Sequence, residues 1–504
     1  METMADSLTQ RLHETFRTHA GRLCLRIPHA KDWSYGDVAL LAAKFAGVLR
    51  AQGIGVGDRV LVQVDKSPEA VALYLACLRI AAVYVPLNTA YTNAEVAYFL
   101  GDADPGLFVC QPPAAASLAS IAGDVRVLTL GKAGEGSLME AAARIESDVE
   151  VATPAGSDVA AILYTSGTTG RSKGAMLTHQ NLLSNALALL QCWGWRDDDV
   201  LLHALPIFHV HGLFVALHCA FLSGSPVLFL SGFNAEDVME SLPDATVMMG
   251  VPTFYSRFLD HPAFVAEMCT NMRLFISGSA PLTEETFRAW ESRTGHKILE
   301  RYGMSETVIL TSNPLDGERV AGTVGFALAG VEMRIADDRG RPLDVQDVGL
   351  IEVRGPSVFP GYWRKPEKTA EDFRDDGFFL TGDMGRMDAD GRLSIVGRGK
   401  DLVISGGYNI YPKEVERLLD AMPSVKESAV IGLPHADLGE AVVAVVVPAG
   451  SEVSAADVAA ALDGRLARFK HPKRVVNVAE LPRNTMGKVQ KNELRQRYAT
   501  LFDD

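Results

Sequence analysis

The chain has 504 residues, more than one ordinary domain of about 100–200 residues holds, so at least two cores are expected. Its 48% hydrophobic and 22% charged content is that of a globular protein, and its net charge of −14 lacks the basic footprint of a nucleic-acid binder. The six cysteines, at 24, 77, 110, 192, 219 and 269, include no C-x-x-C pair, which argues against a zinc or redox site and suits a reducing cytoplasm.

The first residues, METMADSLTQRLHETF, lack the basic-then-apolar pattern of a signal peptide. Arg59–Val64 reads as a buried strand, Pro68–Ala81 as an apolar helix and Tyr84–Leu87 as the next strand. The same alternation recurs at Pro226–Leu230, Thr246–Val251 and Leu274–Ser277, as in mostly parallel sheets covered by helices. The most apolar stretch, Ala216–Leu230, is broken by Ser223, Gly224, Ser225 and Pro226, so it reads as a helix and a strand, and no membrane span is expected.

Residues 161–174, AILYTSGTTGRSKG, run from an apolar strand into a loop, reach Lys173, and lead to a helix near His179. Glycines at 167, 170 and 174 leave backbone N–H groups open to a polyphosphate. Thr165, Ser166, Thr168 and Thr169 add hydroxyl donors and Lys173 a positive charge. An ordinary NTPase loop places Ser or Thr after its lysine; here Gly174 follows Lys173, which disfavours a kinase or P-loop ATPase.

After about Leu350 turn residues become dense, as in Gly355-Pro356, Pro360-Gly361 and Asp388-Ala389-Asp390-Gly391, and a β-rich subdomain is expected. Gly397-Arg398-Gly399-Lys400-Asp401 is a polar segment between apolar strands and reads as a boundary. Beyond it Pro412 opens a helix with Val415, Leu418, Leu419 and Met422 on one face. Strands at Ser428–Ile431 and Ala441–Val447 follow, then a helix at 455–466 capped by Ser454.

Seven segments together resemble the adenylate-forming superfamily of acyl-CoA synthetases, peptide-synthetase adenylation domains and luciferases. They are YTSGTTGRSKG, LPIFHVHGL (205–213), SGSAPL (277–282), RYGMSET (301–307), TGD (381–383), GRGKDLVISGGYNIYPKEVE (397–416) and PRNTMGK (482–488), in order across nearly the whole chain. The resemblance implies a large N-terminal α/β domain, residues 1–399, made of two parallel-rich αβ subdomains and a β-rich one. It implies a small hinged α+β C-terminal domain, residues 400–504. It implies ATP, Mg²⁺ and coenzyme A as reactants.

Residue by residue, the resemblance has Thr165, Ser166, Gly167, Thr168, Thr169, Gly170 and Lys173 hold the phosphates. Gly278, Ser279, Ala280, Tyr302 and Gly303 line the adenine, and Asp383, supported by Arg398, takes the ribose hydroxyls. Thr165 and Glu306 hold Mg²⁺. Lys400 is the hinge, Lys488 the catalytic lysine, and Gly406, Gly407 and Tyr408 approach the pantetheine arm. His209 would wall or gate the acyl and thiol sites. Relatives are often controlled by acylation of the matching lysine, which implies an acetyltransferase and a deacetylase acting on Lys488.

Two arginines bear on the acid. Arg301 stands where many relatives carry Gly or Ala, and Arg257 lies on the helix expected to flank the acyl pocket. Two guanidinium groups suit a second carboxylate, and here the chain is similar to malonyl-CoA synthetases. Methylmalonate, one methyl larger, is left open, as is a separate carrier protein in place of coenzyme A. A non-catalytic nucleotide-binding protein is the reading from another class; Lys173, Glu306, Asp383 and Lys488 argue against it.

Overall fold

The computed structural model describes residues 7–165, 172–405, 408–435, 438–466, 468–484 and 487–502. Four sheets organise them. A six-stranded sheet contains the strands Arg59–Gln63, Val83–Pro86 and Val159–Thr165, mutually parallel. The apolar helix Pro68–Arg79 follows the first of these, capped by Ser67 and with Pro68 in its first turn, where a missing N–H costs nothing. A nine-stranded sheet contains Leu201–His203, Val247–Gly250, Leu274–Ser277 and Leu299–Tyr302, again parallel to one another. A four-stranded antiparallel sheet runs from Glu332–Ala336 to Leu393–Arg398. This is the α/β architecture with a β-rich third part that the alternation and the turn density predict.

The phosphate-loop segment differs from expectation in one respect. Lys173 does not lead straight to a helix but opens a strand, Lys173–Thr178, antiparallel to Val159–Thr165 with Thr165 opposite Lys173. Five of its six residues are buried, and Gly174 is required there, because a Cβ would fall 2.7 Å from Ile162. The helix His179–Cys192 then begins with a Thr178 capping box. The 166–171 segment, with Ser166, Gly167, Thr168, Thr169 and Gly170, lies outside the described residues.

The fourth sheet belongs to the C-terminal part, from Val403–Ser405 to Arg474–Asn477. Its long hairpin pairs Val425–His435 with Gly439–Pro448. One face packs on the helix Pro412–Asp420 through Val415, Leu418 and Leu419; the other packs on Leu481 and Leu494. The helix Ala455–Leu462 starts with a Ser454 capping box. The apolar clusters separate along the chain: the large ones end at Ile395 and the C-terminal ones begin at Val403. The turn Gly399–Asp401 lies between. Among the described residues no helix is long and apolar enough to cross a membrane.

Candidate active site

Parallel strands present the residues after them at one edge of a sheet, where open α/β folds bind ligands. His203, Gly250, Ser277 and Tyr302 each end such a strand. Gly278, Ser279 and Ala280 continue from one, Gly303 from another, and all line or border a wide cleft between the large and small parts. Gly303 is demanded by close approach, since a Cβ would sit 1.9 Å from the Val308 carbonyl oxygen. Ser279 takes a left-handed backbone with φ of 71°, and its hydroxyl lies 3.2 Å from His211 Nδ1.

On the β-rich side, Asp383 and Arg398 are cross-strand partners. The Asp383 carboxylate is buried, accepts from the Tyr302 hydroxyl at 2.6 Å and pairs with Arg398 Nε at 3.1 Å. This holds the acceptor still while its edge faces the cleft. Asp383→Asn keeps the shape and loses the charge. If the carboxylate takes ribose hydroxyls, a charged hydrogen bond of about 1.5–3 kcal/mol is weakened. The KM for ATP is then expected to rise about 10- to 150-fold with little change in the KM for the acid, measured by steady-state kinetics.

Glu306 is buried between the two sheets. Its Oε1 accepts from Thr165 Oγ1 at 3.3 Å and from the Tyr362 hydroxyl at 3.2 Å. Burial pushes its pKa up, and these donors oppose that shift. Among the described residues no cluster of three or more His, Cys, Asp or Glu side chains forms a metal cage. One carboxylate beside a hydroxyl fits Mg²⁺ that is carried mainly by nucleotide phosphates and water. Lys173 is also buried. Its Nζ lies 4.5 Å from the Tyr362 ring centre and 3.8 Å from Asp372, and burial lowers its pKa. Neither Tyr362 nor Asp372 is singled out by any sequence motif considered above.

The part of the cleft beside Arg301 is cationic. Arg301 is 4% exposed, and its Nε and Nη2 have no hydrogen-bond partner among the described residues. Its guanidinium packs on Gly278, where a Cβ would fall 2.5 Å from Cζ. Burial without a counter-ion pulls its pKa down, yet a guanidinium keeps its charge at neutral pH. His209 is held neutral, down to about 4, by burial, then by the nearby charges of Arg301 and Lys488. His211 is lowered for similar reasons. At pH 7 the charges facing His209 are therefore those of Arg301 and Lys488.

Arg257 is placed differently from the sequence expectation. It stands on the exposed face of the helix Pro252–Asp260, over the Phe233 ring at 5.8 Å, at the rim of the cleft. It is not brought to the buried guanidinium of Arg301. Tyr255, on the same helix, points inward instead and lies near Arg301.

Lys488 reaches this site from the small part. The turn before it is closed by Asn484 accepting from the N–H groups of Gly487 and Lys488 at 2.9 Å each. Gly487, with φ of 72°, packs against Thr253. Ion pairs Lys426–Asp260 at 3.1 Å and Arg417–Glu284 at 3.8 Å also join the two parts. Gly406 and Gly407 lie outside the described residues, Tyr408 begins the short strand Tyr408–Ile410, and Lys400 lies in the Gly399–Asp401 turn.

Residues 12–363 match the AMP-binding enzyme family, and residues 414–488 match its C-terminal domain. The chain belongs to the AMP-binding enzyme family. The AMP-binding fold is matched closely by ATP-bound MatB from Rhodopseudomonas palustris, 52% identical over 98% of this chain and 99% of that one, with a TM-score of 0.96. Apo MatB scores 0.85, so the structure is nearer to the ATP-bound one. A malonate–CoA ligase of Arabidopsis thaliana is 35% identical over 96% of this chain and 89% of its own length. A feruloyl-CoA synthase of an Amycolatopsis species is 36% identical over 94% and 96%. Within this AMP-binding family, overall identity near 35% does not choose the acid; the acyl pocket must.

Proposed function

We propose that the protein joins malonate to coenzyme A through a malonyl-adenylate, giving malonyl-CoA, AMP and pyrophosphate. The observation that carries this is Arg301, a buried guanidinium with unpartnered nitrogens beside the cleft. A buried charge is costly until it is paired, and the distal carboxylate of a small dicarboxylate is a partner of the right charge and fork geometry. Arg257, at the rim, is assigned a lesser part in steering the dianion toward the cleft. The malonate–CoA ligase relative supports the same acid.

The chemistry follows from the leaving group. A carboxylate cannot expel oxide, so one of its oxygens attacks the α-phosphorus of ATP and pyrophosphate leaves. Two anions must meet, and stabilisation of the developing charge dominates. Lys488 and Lys173 supply positive charge, Asp383 with Arg398 fixes the ribose, and Gly278, Ser279, Ala280, Tyr302 and Gly303 bound the adenine. Thr165 and Glu306 would hold Mg²⁺, which neutralises phosphate charge when bound. The coenzyme A thiolate then attacks the adenylate carbonyl and AMP leaves. For this second step the small domain, residues 400–504, turns on Lys400 against residues 1–399, withdraws Lys488 and brings the 406–408 segment near the pantetheine, with His209 between acyl and thiol. Acetylation of Lys488 by a lysine acetyltransferase would remove the charge needed in the first step alone, and a deacetylase would restore it. A cytoplasmic setting suits the free cysteines.

The test is AMP release in the presence of coenzyme A with malonate, methylmalonate, succinate, acetate, benzoate and ferulate. Acetate leaves Arg301 unpaired at a cost of about 2–5 kcal/mol, so malonate is expected to exceed it roughly 30-fold to several thousand-fold in kcat/KM. Strong turnover of acetate, benzoate or ferulate with none of malonate would overturn the reading.

A further inference from the structure

Lys66 is an amine-bearing side chain that the reaction above does not use. It follows the strand Arg59–Gln63 and sends its amino group to His203, 2.7 Å from Nδ1 and 2.9 Å from the carbonyl oxygen. The group also lies 4.4 Å from the centre of the Phe229 ring. No carboxylate pairs with it among the described residues, and burial drives its pKa well down. A lysine so placed lowers stability, so stability alone gives no reason for it.

Its contact with His203 has a directional consequence. A carbonyl oxygen only accepts, so the His203 Nε2 that faces Gly212 carries the ring proton, and Nδ1 is left to accept from Lys66. His203 is fully buried, and that Nε2 lies 3.0 Å from the Gly212 carbonyl oxygen. The imidazole therefore ties the end of the strand Leu201–His203 to the start of the helix beyond the 204–210 segment. The tie closes a tight loop, because a Cβ on Gly212 would fall 2.0 Å from the Pro206 carbonyl oxygen. The loop carries His209, whose Nδ1 accepts from the His211 N–H at 3.3 Å, and it leads into the π-helical segment His211–Leu217. π-Helical turns are rare and cluster at functional sites.

We propose that Lys66 and His203 are positioning residues for the acid: Lys66 donates to His203, His203 clasps Gly212, and the clasp sets His209 against Arg301 and Lys488. Neither residue touches the reacting atoms. The proposal rests on the acyl pocket assigned above but not on the identity of the acid.

The test compares Lys66→Met, Lys66→Arg and His203→Gln in the full-length protein, with KM measured separately for acid and ATP and with thermal unfolding. The acid used is the one the unaltered protein turns over best, so a failure of the malonate reading shows in the unaltered protein and leaves this test standing. Lys66→Met is expected to raise the KM for the acid about tenfold or more, as small displacements of positioning groups do. The KM for ATP should stay within twofold, and the unfolding temperature should not fall. Lys66→Arg, which still donates, and His203→Gln, whose amide N–H reaches toward Gly212, should each recover part of the loss. An unchanged acid KM in Lys66→Met, or equal rises for acid and ATP alongside a lowered unfolding temperature, would overturn the proposal.

Discussion

Lys488→Ala is expected to lower the rate of adenylate formation by about 10²- to 10³-fold, the usual cost of losing one preorganised charge at a developing anion. The two half-reactions separate the cause. Acid-dependent exchange of pyrophosphate into ATP should collapse, while conversion of supplied acyl-adenylate and coenzyme A to thioester should stay near the unaltered rate. The argument is electrostatic. His209 is neutral at pH 7, and the lysine acting on it comes from the small part, on a turn closed by Asn484. Among the described residues of the large part, Lys173 serves the phosphates and Arg301 the far end of the acid in the reading above, so neither is expected to take its place. Exchange that survived undiminished would remove Lys488 from the first step.

Arg301→Met is expected to lower kcat/KM for malonate by about 2–5 kcal/mol, or roughly 30-fold to several thousand-fold, and to change acetate far less. The preference between the two acids, measured in competition, should nearly vanish. Stability should move the other way. Methionine removes a buried charge with unpartnered nitrogens and leaves an apolar chain against Gly278 and Tyr255, so the unfolding temperature should hold or rise. Arg301→Lys keeps the charge but loses the planar fork, and an intermediate preference is expected. A malonate preference intact in Arg301→Met would place the acid-selecting group elsewhere.

Much of the fold is legible because period and punctuation agree. The strands at 59, 83, 247 and 274 and the helices at 412 and 455 begin within about two residues of where alternation, Pro and Ser place them. The strand Lys173–Thr178 escapes notice because KGAMLT is short and runs straight into a strong helix cap. The site divides in the same way. Asp383, Glu306 and Lys488 lie inside compact motifs, so the family resemblance implies their grouping before any coordinates. Tyr362, Asp372 and Lys66 join them only through tertiary contact, 56 residues or more from Glu306 or His203 in the chain, and no local pattern marks them. Arg257 shows the reverse error. One residue along a helix turns a side chain by about 100°, so a helix beside a pocket need not aim each of its arginines into it. Tyr255 and Phe258 take the inner face and leave Arg257 outside.

The pairing of Asp383 with Arg398 also bears on which side of the cleft moves. Arg398 is the last residue of its strand and stands immediately before the 399–401 turn. In the proposed rotation about that turn Arg398 would stay in its ladder, so an Asp383–Arg398 clamp on the ribose would belong to the stationary side of the pivot. The nucleotide end of the proposed intermediate would therefore stay anchored while the thiol arrives, and AMP would leave from the stationary side.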